Sequence, residues 1–536
     1  MLIKILLLLV FCAVTVCVGF YFRKRTASVN DFVLGGREVG PWLTAFAYGT
    51  SYFSAVIFVG YAGQFGWRFG TAATWVGLGN AFIGSLMPWF ILGRRTRIMT
   101  HHLKSATMPE FFGARYSSNA LKIGAAIIVF IFLIPYTASL YNGLSRLFEM
   151  AFHVDFIYCI IGMAVLTAVY VVVGGYFATA ANDFIQGIIM LCGIVAVIGA
   201  VLNSHGGFIE TLNKMAAVVP SNAELAAKNA PPLIGARGVF TSFFGPDPLS
   251  LLGVIILTSL GTWGLPQMVS KFYSIKSEKM ISKGAIVSTF FGLVVAGGCY
   301  FLGSFGRLYA DSNIRNSGGA IVYDAIVPAM LSKFPDFLIG IVIVLVFAAS
   351  ISTLSSLVLA SSSTLTLDFL KGHIIKKMSE KKQLLIIRAL IVVFILISSV
   401  IAIIQIKYKG GVAFIAQLMG VSWGALAGSF LAPFLYGLYW KRVTKPAVWA
   451  NFIFSTVFMI FIVVLNTSTY LKGNSGWFPA ILKSPINAGA FTMLLGFIIV
   501  PVISILTKEP DKTIVDNCFS CYEETVSVKV RDDLGN

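Results

Sequence analysis

Thirteen apolar stretches separated by short polar connections run the length of the chain. They cover roughly residues 2–22, 42–66, 73–93, 123–148, 155–175, 184–204, 249–266, 284–305, 337–366, 386–406, 411–438, 446–466 and 487–507. Most are near the ~20 residues a helix needs to cross ~30 Å of hydrocarbon. The pattern predicts an all-α polytopic membrane protein with about 13 transmembrane helices. The first stretch resembles a signal peptide in length, but Arg23-Lys24-Arg25 follows directly and no small-residue cleavage site ends it, so it reads as a retained helix.

Composition agrees. Of 536 residues, 57% are hydrophobic and only 12% charged. A soluble chain carries about 25% charged residues. Soluble, disordered, fibrous and disulfide-scaffolded proteins are excluded. The net charge of +18 would suit nucleic acid, but the charges sit between the apolar stretches rather than on one basic face, so no nucleic-acid partner is expected.

Lysine and arginine set the orientation. Loops after the odd-numbered stretches hold 23 of them and the opposite loops 11. This places the N-terminus outside and the tail after Thr507 in the cytoplasm, in a multi-pass plasma-membrane protein. The sizeable extracytoplasmic pieces are 205–247 and 307–336. Neither is long enough for a separate receptor domain.

Polar groups at membrane depth are costly and mark function unless they serve packing. Four stretches hold them. The second span contains Tyr48-Gly49-Thr50-Ser51-Tyr52-Phe53-Ser54, which reads as either a small-residue helix contact or an unwound segment with free carbonyls. The seventh contains Ser259-Leu260-Gly261-Thr262-Trp263-Gly264-Leu265-Pro266-Gln267. Interruptions at matching places in two halves point to a transport site. The ninth contains Ala348-Ala349-Ser350-Ile351-Ser352-Thr353, where one turn offers a carbonyl and two hydroxyls to one point. Neutral oxygens suit a monovalent cation, whereas calcium wants carboxylates. The alternative is hydroxyl contacts between helices. Asp183, leading the sixth span, is either a helix cap or a cation or proton site.

No phosphate-loop lysine motif, zinc-protease motif or pair of carboxylates within the spans is present, so no enzyme is indicated. Uphill transport would then draw on an ion gradient. Cys518 and Cys521 lack the second pair that zinc wants and read as two free thiols.

Five motifs carry a resemblance: Asp31-Phe32-Val33-Leu34-Gly35-Gly36-Arg37, Thr107-Met108-Pro109-Glu110-Phe111-Phe112 with Arg115-Tyr116, the segment from Gly174 to Gln186, Trp263-Gly264-Leu265-Pro266-Gln267, and Ser352-Thr353-Leu354-Ser355. In these the chain resembles the sodium:solute symporter family, which holds the proline, galactose, pantothenate, sialic acid and iodide/monocarboxylate symporters. The resemblance implies a LeuT-like fold with two inverted five-helix repeats. The layout would be a first helix and loop (1–40), a first repeat (41–205), a loop (206–247), a second repeat (248–440), two added helices (441–507) and a tail (508–536). It implies Na+ as coupling ion, held by the carbonyls of Thr50, Phe53 and Ala349 and the hydroxyls of Ser352 and Thr353. It allows a second sodium on Asp183, Ser352 and Thr353.

The resemblance implies uptake of a small-molecule solute, a carboxylate, sugar, amino acid or vitamin, by alternating access. A proton-coupled symporter of the same fold and a solute sensor are the alternatives. Thr74, Ser259 and Thr262 stand where the sugar branch carries other polar residues, and Tyr52 stands where the proline branch has aspartate. The stretch from Tyr52 to Gly70 is closer to the anion-handling branch. There Arg68 is either a steering charge or an interface anchor. Gln64, Ser259, Thr262, Trp263 and Gln417 are the expected solute contacts. The sequence leaves the oligomeric state open.

Overall fold

A computed structural model describes residues 2–23, 28–227, 230–309, 314–315, 321–371, 373–375, 377–407, 415–468 and 475–523. Among them the regular structure is helical, and β-pairing occurs only as isolated bridges. Ten segments are long and apolar enough to cross a membrane, or eleven when the bent pair Pro248–Gly264 and Pro266–Tyr273 is one crossing. Two of the ten are too long for one passage: Val56–His102 with 47 residues and Phe156–Ser204 with 49. Straight, 49 residues would run about 74 Å, over twice the hydrocarbon thickness. Glycines in the left-handed region divide both, Gly70 (φ +64°) and Gly175 (φ +57°). The expected thirteen is reached only by dividing both segments there.

The exposed faces of the outer helices are apolar. Leu6, Val165, Ile286, Leu396 and Ile498 are all more than half exposed. Such a belt suits lipid and would aggregate in water. Two helices form the centre. From Leu345 to Leu359 every residue of the Asp336–Thr364 helix is buried, and in Ile415–Tyr439 the run from Leu418 to Phe434 is buried throughout. A helix apolar or hydroxylic on all sides needs neighbours all round. Several serines of the Asp336–Thr364 helix bond their own backbone, as Ser350 does to the Val346 carbonyl at 2.7 Å.

One close crossing depends on glycine. A Cβ on Gly66 would lie 2.0 Å from the Gly303 carbonyl oxygen. This contact brings the Ala62–Phe69 helix against Gly297–Ser304 at the end of the bundle that carries the 206–247 loop. At the opposite end the tail contributes a helix, Lys512–Ser520. The Lys512–Ser520 helix docks through Lys441–Asp516 (3.1 Å) and the His102 ring to the Asn517 carbonyl (2.8 Å). Arg95 stacks between the Tyr439 and Tyr522 rings. Cys518 and Cys521 are buried in this docked segment, the Cys521 thiol donating to the Cys518 carbonyl at 3.3 Å.

Candidate functional site

Two helices break near the middle of the bundle. Pro41–Tyr52 ends at Phe53, which is extended (φ −89°, ψ 126°), and a π-helical turn, Val56–Tyr61, follows. Pro248–Gly264 ends at Leu265, also extended (φ −82°, ψ 122°), and the chain bends by 44° into Pro266–Tyr273. The second break is dictated locally, because proline disfavours the helical state of the residue before it and lacks an N–H. The first has no proline; small residues, Gly49, Ser51 and Ser54, flank it instead.

The first break frees carbonyls that meet the central helix. The Thr353 hydroxyl lies 3.3 Å from the Thr50 carbonyl, 3.0 Å from that of Phe53 and 3.1 Å from that of Ala349. The Ser352 hydroxyl lies 3.2 Å from the Thr50 carbonyl and 3.0 Å from that of Ala349. All five residues are completely buried. Thus five neutral oxygens from two helices, some 300 residues apart in sequence, gather around one point. A hydroxyl that donates to a carbonyl here can turn its lone pair to a cation instead.

Asp183 does not cap a helix. The post-Gly175 part of its helix starts eight residues earlier, and Asp183 is fully buried inside it. Its two oxygens accept no hydrogen bond. The Lys271 ammonium lies 4.0 Å away and donates to the Ser356 hydroxyl at 3.1 Å. Ser356 is 2.8 Å from the Ser51 hydroxyl at the first break. The positive-charge count treats Lys271 as a loop residue. The structure corrects this: Lys271 sits on the Pro266–Tyr273 helix, 2% exposed. It lies five positions beyond Pro266, and window hydropathy cannot tell a loop lysine from a buried one at such an end.

The expected solute contacts divide. Three brace the second broken helix against the segment around residues 80–84. The Ser259 hydroxyl donates to Asn80 (3.1 Å), the Thr262 hydroxyl to the Gly84 carbonyl (2.8 Å), and the Trp263 N–H to the Ile83 carbonyl (2.8 Å). Gln64 faces a cavity of about 590 Å³ at the loop end, where it is joined by Arg68, Asp247 and Ser250. Gln417 is half-buried near the start of the Ile415–Tyr439 helix. Missing from the expected set is an aromatic cluster beside the first break. Trp423 lies 5.8 Å from Tyr52 and 5.9 Å from Tyr136, ring centre to ring centre. The hydroxyls of both tyrosines and the Trp423 N–H are buried and make no hydrogen bond. Aromatic residues in apolar spans look like packing, so nothing in the local sequence singles these out.

Gly420-Val421-Ser422-Trp423-Gly424 spells the Gly-x-Ser-x-Gly pattern of hydrolases. It lies inside a helix, and Ser422 donates to the Phe132 carbonyl. A nucleophile of that type needs a strand-to-helix turn.

At the loop end, charges are paired. Arg68 bridges to Asp247 and donates to Ser250 at 3.0 Å, so its charge is balanced within the protein. Glu224 accepts from Arg307 at 2.9 Å and from the Trp67 N–H at 3.0 Å. Burial raises the Glu224 carboxyl, but Arg307, the Ser221 backbone N–H and Trp67 together hold it below the usual glutamate range. Near the centre, Tyr52, Asn80 and Ser288 line a small cavity of about 10 Å³.

An all-helical membrane protein with paired helix breaks and irregular backbone gathered at mid-bundle has the architecture of an ion-coupled secondary transporter. The sodium:solute symporter family model matches residues 32–453, and the chain belongs to that family. The sodium/proline symporter of Staphylococcus aureus (strain JH9) is 28% identical over 542 aligned positions, covering 98% of this chain and 95% of that protein. A solved sodium-coupled sialic acid symporter, in a substrate-bound outward-open state, matches with a TM-score of 0.72 at 18% identity, over 95% of this chain and 98% of that one. The two share the LeuT-like fold.

Proposed function

We propose that the protein takes up a small organic solute by alternating access, driven by sodium held at Thr50, Phe53, Ala349, Ser352 and Thr353. Its family carries out sodium-coupled solute transport and is not a family of enzymes. The observation that supports the site is the convergence of three carbonyls and two hydroxyls between the first break and the central helix. Sodium there would tie Pro41–Tyr52 to Asp336–Thr364 and favour one state of the cycle. Solute that binds that state better is coupled to sodium by ~1–3 kcal/mol, and the coupling is reciprocal.

The aromatic cluster of Tyr52, Tyr136 and Trp423 supports a solute place next to the ion, with Gln64 on the route from the loop end. That end is outside in this reading: the lysine and arginine bias is still 22 to 11 once Lys271 leaves the count. The Arg68–Asp247 pair argues against a free steering cation at the mouth.

The test is solute-dependent current in proteoliposomes under an inward sodium gradient, with a panel of carboxylates, amino acids including proline, sugars and vitamins. A current that needs sodium and disappears in Ser352→Ala/Thr353→Ala supports the reading. A current driven equally by a proton gradient alone, or unchanged in that variant, overturns the sodium site. A proton-coupled cycle is the second reading, because a buried carboxylate, Asp183, lies beside the site with no hydrogen bond.

A further inference from the structure

We infer that Lys271 is a tethered cation that takes the place of a second sodium, so that each transport cycle carries one sodium ion. The inference rests on the sodium site proposed above and concerns its neighbour.

Asp183 and the hydroxyls one turn beyond Ser352 on the central helix form a second place where a cation could rest. The structure fills that place from within. The Lys271 ammonium lies 4.0 Å from Asp183, donates to Ser356 at 3.1 Å, and sits 5.0 Å from the centre of the Tyr176 ring. Carboxylate, hydroxyl and ring face are each favourable to a positive charge. The ammonium stands near the C-terminal end of its own helix, where the backbone dipole also favours a cation. Both charged side chains are almost fully buried, at 2% and 1% exposure. One carboxylate can balance one cation at such depth. A sodium ion on Asp183 would face an ammonium only a few ångströms away, and like charges repel most strongly where water is excluded. The adjoining cavity, lined by Gln267, Lys271 and Ser356, measures about 30 Å³. That is room for a water or two at the lysine tip.

The tether also gives the pair a place in the cycle. Ser356 joins the ammonium to Ser51, and Ser51 follows Thr50, whose carbonyl belongs to the proposed sodium site. Lys271 rides on the second broken helix, Asp183 and Ser356 on two others. A built-in cation cannot leave with the solute, so it stabilises one arrangement of these helices without dissipating an ion gradient.

The experiment measures equilibrium binding of radioactive sodium to the purified full-length protein without solute, together with thermal stability in sodium against choline. The wild type is expected to bind one sodium per chain with a Hill slope of one. Lys271→Gln is expected to bind two, with a steeper slope and a larger stabilisation by sodium. Lys271→Arg is expected to stay at one, and Asp183→Asn added to Lys271→Gln to return to one. Two sodium ions in the wild type would overturn the inference, as would one in Lys271→Gln with its sodium stabilisation unchanged. Failure of the underlying site looks different: the wild type would bind no sodium, or its single ion would survive Ser352→Ala/Thr353→Ala.

Discussion

Two places for a positive charge lie one helical turn apart on the central helix, and they are built in opposite ways. Around Thr353 five oxygens converge and none carries a formal charge. Around Ser356 a carboxylate and an ammonium face each other and neither is solvated by bulk water. A neutral shell holds a monovalent ion weakly enough to release it on every cycle. A buried charge pair cannot be parted without leaving a bare charge in a medium of low dielectric. The first arrangement suits a coupling ion and the second a permanent part of the protein.

The hardest test of this contrast is to break the permanent pair. Asp183→Asn leaves the Lys271 ammonium buried without its counter-charge. The expected loss is about 3 kcal/mol of stability, read as a lower thermal midpoint. Removing both charges, Asp183→Asn with Lys271→Met, should restore most of it. Equal loss in the single and double variants would mean that the two charges do not interact.

The neutral shell should respond in ion affinity rather than stability. Thr353→Val keeps the shape and deletes one hydroxyl that reaches three carbonyls. The sodium concentration for half-maximal transport should rise about tenfold to a hundredfold, ~1.4 kcal/mol per tenfold. Thr353→Ser keeps the hydroxyl and should shift it about twofold to threefold, on the order of 0.5 kcal/mol. An unchanged half-maximal concentration in Thr353→Val would remove this residue from the site.

The smallest effect belongs to a third pair, Glu224 with Arg307, at the loop end. Unlike Asp183, Glu224 is partly solvated, with an 18% exposed side chain, so its pairing is worth on the order of 1 kcal/mol or less. Its carboxyl lies below the usual value in the folded protein. The contribution is therefore complete above the ordinary glutamate pKa of ~4.3 and disappears as pH falls through the lowered folded value. Protease cleavage of the 206–247 loop should accelerate at that acidic end in the wild type. In Glu224→Gln it should be faster at neutral pH and flat across that window. A pH profile identical in both proteins would exclude Glu224 as the holding group.

Much of this arrangement was legible in the chain itself. Apolar length marks the spans, Pro266 marks one break, and small residues around Phe53 mark the other. Ser352, Thr353 and Ala349 fall on one face because helix geometry puts neighbours three and four apart together. These are local properties, and local chemistry writes them. What the tertiary structure decided is which group each polar atom meets. Ser259, Thr262 and Trp263 read as solute contacts, yet their partners are Asn80, Gly84 and Ile83, nearly 180 residues away. Lys271 reads as a loop charge until the fold closes Asp183, Tyr176 and Ser356 around it. A polar tail gains a docked helix because His102, Arg95 and Lys441 converge on it. Hydropathy sums over neighbours in sequence and fixes what must leave water. Pairing depends on neighbours in space, which only the packed bundle supplies.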